Sequence, residues 1–353
     1  MNRIKQFAAR DPHAVILAGL TLAVLATLIV ILGDRFLSPN NLQSMATQVA
    51  EFGLLALAMG LAMLLAGIDL SIVSAAVLAA IVGGKFMSGD IIAITPTNEV
   101  MVMTLGVVAA LLTGVACGAV NGLLIAKLSV PPILATLGTL IFFAGVGMVV
   151  TAGRSVPVEI SGYKLLGVST IATIPVIFVL MCGVYAVAGL LLSRTRLGRR
   201  IYLFGENSVA LRFAGVRTER TVILTYLGIG LIVGLAGIIM LSRVNSARVG
   251  FGESYLLQAI LVVVLAGFNP YGGRGKVSSL LLGLVLLQSL QSAFTVMRFD
   301  PFMKTFIWGA SLLVVMAINH LVHLRVQRRR RSSAPPPSEP GEPEPAATAA
   351  SAS

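Results

Sequence analysis

The sequence predicts an all-α, polytopic membrane protein with about ten transmembrane segments in two repeat-related halves, some of them short or broken. Composition is the first observation, because the chain is 57% hydrophobic and only 11% charged, whereas soluble domains carry about 25% charged residues. The second is that apolar windows recur along the whole chain. The third is that basic residues cluster between and beside those windows, as the positive-inside rule describes.

Ten windows without a charged residue are candidate membrane segments, since a spanning helix needs about 20 mostly apolar residues. In chain order they cover residues 14–33, 52–68, 70–84, 100–126, 128–153, 165–193, 221–242, 254–273, 277–297 and 305–319. The last window can extend to residue 324. We therefore expect a transmembrane domain over residues 14–324, preceded by a cytoplasmic N-terminus at 1–13.

Basic clusters predict the orientation of these segments. Residues 194–220 hold seven Arg against two Glu, and five further Arg lie within residues 325–331. Six windows separate the basic N-terminus from 194–220, and four more precede 325–331. An even count satisfies both clusters, which predicts cytoplasmic N- and C-termini and a cytoplasmic loop at 194–220.

Two windows are too short for a complete crossing. Window 70–84 reaches only about 22 Å at 1.5 Å per residue, against a hydrocarbon core of about 30 Å. Window 254–273 is shortened by a turn at Asn269–Gly273. Their matching places in the two halves predict an ancestral repeat with a transport pathway between the halves; chance recurrence of small residues is the alternative.

The C-terminal segment at 325–353 is basic at first and then rich in Pro, Ala and Ser. Such a composition cannot bury an apolar core. We expect a disordered cytoplasmic tail.

Nothing in the sequence predicts an enzyme, a cofactor or a metal site. The stretch Gly272–Ser279 contains Gly-Lys, but Pro270 and Val277 stand where a phosphate-binding loop needs Gly and Ser or Thr. We therefore expect any ATP hydrolysis to be performed by a separate subunit.

Polar residues within apolar windows are the candidates for a translocation pathway. Asp69 either caps the short segment that begins near Ser71 or lines the pathway, and both interpretations stay open. The uncharged members either bond a neighbouring helix or offer a sparse, neutral lining for a polyhydroxyl compound. The candidates are Asp69, Ser71, Asn121, Thr136 and Thr139.

The sequence reveals no carboxylate in mid-span with an obvious basic partner. Glu51 lies at the edge of a window and Glu253 in the second break. This argues against a secondary transporter, since proton-coupled carriers commonly use such pairs.

The middle of the cytoplasmic loop, GENSVALRFAGV at 205–216, predicts a short amphipathic helix closed by Gly215. A membrane protein that presents such a helix to the cytosol usually binds a soluble partner there.

Several motifs, taken together and in order, resemble the permease subunits of ribose-type monosaccharide ABC importers, which include ribose, xylose, rhamnose and autoinducer-2 systems. The likeness runs from about residue 40 to residue 320. The motifs are AGIDLSIVS at 66–74, AVNGLLI at 119–125, VPPILATLGTL at 130–140, TAGRSV at 151–156, LGRRIYLFGENSVALRFAGV at 197–216, AGIIMLSRVNSA at 236–247 and LVVVLAGFNPYGGRGKV at 261–277.

The resemblance implies a permease in the bacterial inner membrane that contacts lipid but no nucleic acid. It implies three protein partners: an ATPase with two nucleotide-binding modules, a periplasmic sugar-binding protein, and a second permease subunit, identical or paralogous. It also implies that the residues coupling the permease to the ATPase are Gly205, Glu206, Asn207, Ala210, Arg212 and Gly215.

We therefore expect the permease of an importer for a monosaccharide or a sugar-like molecule. One alternative is an importer of branched-chain amino acids or nucleosides. A zwitterionic substrate would favour a buried charge pair, which the sequence does not reveal. A secondary transporter is a weaker alternative, since it does not explain the cytosolic helix.

Overall fold

The computed structural model describes the backbone of residues 12–332 and the side chains of residues 13–317. The predicted N-terminus at 1–13 and tail at 325–353 therefore lie largely outside the described residues. The chain forms one unit up to Leu312 and a second from Leu313 onward.

Helices account for most of the described chain. They are α1 (Pro12–Leu32), α2 (Asp34–Leu37), α3 (Pro39–Leu64), α4 (Ile72–Met87), α5 (Glu99–Ala126), α6 (Pro132–Thr151), α7 (Ser161–Val168), α8 (Val176–Arg194), α9 (Arg196–Phe213), α10 (Thr218–Val244), α11 (Ser254–Leu265), α12 (Val277–Val296) and α13 (Pro301–Ser332).

Four two-residue strands form two small antiparallel pairs within the described residues. β1 (Val156–Pro157) pairs with β4 (Ser246–Ala247). β2 (Thr170–Ile171) pairs with β3 (Ile174–Pro175) in a hairpin.

Seven helices of the described chain are long and apolar enough to cross a membrane, judged by length and composition. They are α1, α3, α5, α6, α8, α10 and α12. Three shorter apolar helices cover Ile72–Met87, Ser254–Leu265 and Pro301–Ala317. The all-α polytopic class is therefore confirmed, and each of the ten predicted windows overlaps one of these ten helices.

The predicted window at 165–193 is wrong at its start. Its long helix, α8, begins only at Val176, directly after Pro175. The preceding residues form the end of α7 and the β2–β3 hairpin. A charge-free loop and a charge-free helix look alike when charge alone defines the window, which explains the error.

The larger unit is built around α3 and α10. Every residue of α3 from Val49 to Leu64 is buried, and α10 packs against α3, α4 and α5. Glycines set the closest approach of α5 to α10. A Cβ on Gly118 would meet the backbone oxygen of Tyr226, and one on Gly230 would meet that of Gly114. Small residues of this kind let membrane helices approach closely.

We expect Gly118→Leu to destabilise the folded protein by about 3 kcal/mol, the upper end of the usual cost of overpacking. The obstacle is backbone, which cannot rotate away as a side chain can. Thermal unfolding of the purified protein measures the effect. Gly145→Leu in α6 is the matched control, because a Cβ there meets nothing within 4 Å. Equal unfolding midpoints for the two variants would contradict the assigned packing.

Candidate functional site

Four of the five candidate pathway residues form one connected hydrogen-bond network. The Oδ1 atom of Asp69 accepts from the backbone nitrogen of Ser71 at 2.9 Å and from its hydroxyl at 2.7 Å. The Asn121 amide donates to the Ser71 hydroxyl at 2.8 Å. The Thr139 hydroxyl donates to Asn121 Oδ1 at 2.7 Å. The network therefore ties the bend before α4 to α5 and α6.

Thr136, the fifth candidate, holds the same bend from beside the network. Its hydroxyl lies between two backbone acceptors, the oxygen of Pro132 at 2.8 Å and that of Ile68 at 3.0 Å. All five candidates are buried. Their polar atoms bond one another and the backbone of the bend, so the arrangement stabilises the bend before α4. Asp69 itself bonds the turn just ahead of α4.

The predicted coupling segment is a kinked helix. Helix α9 runs from Arg196 to Phe213, and Asn207 departs from helical geometry at φ −160° and ψ 93°. The Asn207 side chain accepts from the backbone nitrogen of Ala210 at 2.9 Å. Asn207 therefore caps a second short helix, as asparagine commonly does.

The second helix ends at Gly215, as predicted. Gly215 has φ +75°, a conformation that favours glycine. Its backbone nitrogen donates to the Arg212 oxygen at 3.0 Å, and the Val216 nitrogen donates to the Leu211 oxygen at 3.3 Å. This pair of bonds is a Schellman motif, which satisfies the last carbonyl groups of the helix.

An apolar face of this second helix points away from the protein. Val209 is 61% exposed and Phe213 is 89% exposed, whereas Leu211 is buried against the rest of the chain. Ala210 is exposed beside them. The sequence analysis named Ala210 but missed Val209 and Phe213, although their four-residue spacing on a predicted helix could have revealed them.

The first part of α9 packs against two turns. A Cβ on Gly205 would meet the backbone oxygen of Leu64, at the end of α3, and the backbone nitrogen of Gly273. Those two atoms are themselves hydrogen-bonded at 3.1 Å. Gly205 therefore lies where the end of α3 meets the turn that follows α11.

Tyr202 fixes this contact from one helical turn earlier. Its hydroxyl donates to the backbone oxygen of Gly275 at 2.8 Å. Burial raises the pKa of Tyr202, so the phenol stays protonated and remains a donor at neutral pH.

A buried charge pair lies at the middle of α3, which corrects the expectation that the chain has no mid-span carboxylate with a basic partner. Glu51 Oε2 lies 2.7 Å from Arg243 Nε, and the Glu51 side chain is fully buried. The Tyr255 hydroxyl donates to the same oxygen at 3.1 Å. The pair joins α3 to α10 and α11, elements too distant in sequence for spacing to reveal the contact.

Comparison with known proteins gives consistent matches over most of the chain. The sequence model of the family described as branched-chain amino acid transport system / permease component matches residues 41–316. A ribose import permease protein of Bacillus subtilis (strain 168) is 32% identical over 303 residues, covering 85% of this chain and 91% of that protein.

Two further relatives carry other names. An autoinducer 2 import system permease protein of Escherichia coli (strain K12 / DH10B) is 31% identical over 335 residues, 92% of this chain and 93% of that protein. A fructose import permease protein of Rhizobium meliloti is 28% identical over 334 residues, 91% of this chain and 89% of that protein. No solved structure matches the chain.

These matches extend over nearly all of the region that carries the motifs, and they confirm the resemblance found in the sequence. The chain belongs to the family described as branched-chain amino acid transport system / permease component, and the relatives it resembles are the ribose-type import permeases.

Proposed function

We propose that this chain is the permease subunit of an ATP-binding cassette importer and that it carries a monosaccharide or a sugar-like molecule across the inner membrane. The observation that carries the proposal is its similarity to the Bacillus subtilis ribose import permease over 85% of the chain. The exposed Val209 and Phe213 support it, because exposed apolar side chains that lie together mark contact surfaces.

The proposed importer contains an ATPase with two nucleotide-binding modules, a periplasmic sugar-binding protein and a second permease subunit. ATP closes the two nucleotide-binding modules on each other, which moves the helix between Glu206 and Gly215. The permease halves then rock between outward and inward access, as alternating access requires. The permease itself forms no covalent bond with the solute.

Reconstitution tests this function. The permease is placed in liposomes with the ATPase and the binding protein of the proposed importer, and uptake of labelled ribose, fructose and leucine is measured with and without ATP. We expect ATP-dependent uptake of a sugar. ATP-dependent uptake of leucine alone would establish the amino-acid alternative, and uptake without ATP would establish a secondary transporter.

The Glu51–Arg243 pair favours the amino-acid alternative, since a zwitterion needs both charges. However, the two groups lie 2.7 Å apart, so each already neutralises the other. The pair therefore carries no net charge that would attract the ammonium or carboxylate group of an amino acid, and a neutral solute remains the better fit.

Ten crossings with both termini in the cytosol form the proposed topology. Because successive crossings run in alternating directions, this topology places three elements at the cytosolic face: the end of α3, the α9 segment and the turn after α11. Two contacts support this, because Gly205 packs on Leu64 and on Gly273. Ten crossings require these three elements to lie on the same side of the membrane, and the three are in contact with one another.

The proposed repeat relates α3 through α6 to α10 through α13. Each half has a long helix, a short helix, a full-length helix and a helix that begins at a proline, Pro132 or Pro301. In a ten-crossing topology the two halves run in opposite directions, which is a common arrangement in transporters.

Labelling of single cysteines tests the topology in a background that lacks Cys117 and Cys182. An impermeant thiol reagent added to intact cells is expected to modify Ile91→Cys, in the loop after α4. It should leave Ser208→Cys unmodified until the membrane is opened. Modification of Ser208→Cys in intact cells would show that the orientation is reversed.

The network around Asp69 is proposed to lie along the pathway and to hold its bend. We expect Asp69→Asn to insert and fold normally, because the amide keeps the oxygen that accepts from Ser71. Uptake should fall, since hydrogen bonds to a charged acceptor are roughly twice as strong as neutral ones. Normal uptake would leave capping as the whole role of Asp69 and exclude a need for its charge.

Ser71→Ala provides the contrast within the same network. It leaves the Asn121 amide without the hydroxyl that it now bonds. An unsatisfied buried donor costs about 1–3 kcal/mol, so this variant should lose stability as well as uptake. Unfolding midpoints of the purified variants distinguish the two cases.

A further inference from the structure

A polar stripe runs along the first half of α3, at the end farthest from the coupling segment. Its members carry amide or hydroxyl groups and recur every three to four residues, which puts them on one helical face. They are Asn40, Gln43, Ser44, Thr47 and Gln48. Asn40 and Ser44 are exposed, and the other three are partly buried.

The stripe lines a cavity of about 420 Å³, and Arg243 lines the same cavity. This volume lies within the range of about 300–1,000 Å³ found for small-molecule sites. The cavity is therefore large enough for a small solute rather than for a few water molecules alone.

Deeper along α3, beyond the residues that line the cavity, two buried oxygen atoms have no partner within the described residues. Gln288 donates its amide to Gln48 Oε1 at 3.3 Å, but its own Oε1 atom has no partner within the described residues. The same holds for Oε1 of Glu51, which follows Gln48 by one helical turn. Both residues are at most 3% exposed. Neither residue lines the cavity, so its polar character depends on the stripe and Arg243.

The charges at this level cancel. Arg243 pairs with Glu51, and the Tyr255 hydroxyl donates to the carboxylate. The cavity wall thus offers neutral donors and acceptors beside a neutralised ion pair. Hydroxyl groups both donate and accept, so a polyhydroxyl compound matches this wall better than an ion does.

The position of the cavity also suits a solute arriving from outside. Helix α3 has 26 residues and is therefore about 39 Å long at 1.5 Å per residue. One end of the helix, at Leu64, contacts Gly205 of α9 and Gly273 of the turn after α11, which the proposed topology places at the cytosolic face. The stripe near the other end therefore lies toward the opposite face.

We propose that this cavity, between the stripe of α3 and Arg243, binds the transported polyhydroxyl solute on the outer side of the permease. The inference rests on the proposed function in two respects: which side of the membrane the cavity faces, and which class of solute it binds. It assigns solute contact to a region distinct from the Asp69 network.

Solute protection tests the cavity directly. Ser44→Cys is made in full-length permease lacking Cys117 and Cys182 and is reconstituted in lipid nanodiscs. Its rate of modification by a small thiol reagent is measured with ribose, fructose or leucine present. Either sugar should slow the modification, and leucine should not. Ile91→Cys, which is exposed outside the cavity, should react at the same rate throughout.

Second-site variants then test the stripe while leaving the ion pair intact, because removing one partner of a buried pair destabilises the whole fold. Added to Ser44→Cys, Gln48→Leu and Thr47→Val should each raise the sugar concentration for half-protection about three- to tenfold. Thr104→Val is the matched control, since Thr47 and Thr104 both bond the carbonyl four residues earlier and Thr104 is exposed on α5.

Failure of this proposal is distinguishable from failure of the proposed function. If the reconstituted importer takes up sugar but neither sugar slows modification of Ser44→Cys, the cavity assignment is wrong and the function stands. Protection by leucine equal to that by sugar would overturn the solute class. Half-protection unchanged by Gln48→Leu and Thr47→Val would overturn the role of the stripe.

Discussion

Ala210→Glu and Gly215→Arg are expected to stop transport while the folded permease stays in the membrane. Ala210 lies beside the exposed Val209 and Phe213, on a face that the permease itself does not cover. In the proposed complex, a larger or charged residue there holds the ATPase away from the helix. Overpacking a fitted contact costs about 1–3 kcal/mol, and about 1.4 kcal/mol weakens an equilibrium tenfold.

The surroundings of these positions explain why folding should survive. A Cβ on Gly215 meets nothing within 4 Å, so Arg fits sterically. Its cost is the positive φ, about 1–2 kcal/mol for a residue with a Cβ. That strain falls on one helix end, outside the buried centre of the protein.

Copurification of the ATPase with tagged permease measures docking, and ATP-dependent uptake measures its consequence. Ala210→Ser and Gly215→Asn are the matched controls, because serine stays small and asparagine tolerates a positive φ. Both should behave like the unmodified chain. Phe213→Ala should also lose the ATPase, since buried aromatic anchors dominate interfaces. Wild-type copurification by Ala210→Glu and Phe213→Ala would show that this face is not the docking surface.

The helices of this protein could be predicted because length and hydropathy act locally. A run of apolar residues long enough to cross a membrane must form a helix there, since lipid offers no other partner for its backbone. Helix boundaries were harder to predict wherever a helix contains a charged residue or a loop contains none. The charge-free window starts at residue 52, after Glu51, but α3 begins at Pro39, where the Ser38 side chain caps it. Arg243 neutralises Glu51 inside the helix.

In the candidate site, too, features with a local signal could be predicted from the sequence, whereas contacts between distant positions could not. Gly215 could be predicted to end a helix because that signal lies within a few residues of the helix itself. The Tyr255–Glu51 bond joins positions 204 residues apart, and nothing local to Glu51 announces that partner. The contact of Gly205 with Leu64 and Gly273 is equally remote in sequence. It could only be seen once the chain was folded.

Gly205→Ala is expected to uncouple the permease from an ATPase that still binds. The added Cβ would meet the oxygen of Leu64 and the nitrogen of Gly273, two backbone atoms that cannot rotate aside. The first part of α9 must therefore separate from the end of α3 and from the turn after α11. Movement of the second helix of α9 would then no longer be transmitted to the membrane helices through this contact. At about 1–3 kcal/mol for the overpacked contact, we expect transport to fall about tenfold or more.

Two companion variants turn this into a graded test. Tyr202→Phe removes only the hydroxyl that bonds Gly275, a loss of about 0.5–1.5 kcal/mol, and should reduce uptake less than Gly205→Ala. Gly228→Ala in α10 adds the same methyl group where nothing lies within 4 Å, and it should transport normally. In all three, the ATPase should copurify, because Val209 and Phe213 are untouched. This separates the contact at Gly205 from the docking face: docking variants lose the ATPase, whereas Gly205→Ala keeps it and loses uptake. Normal uptake by Gly205→Ala would exclude this contact as the route from the coupling helix to the membrane segments.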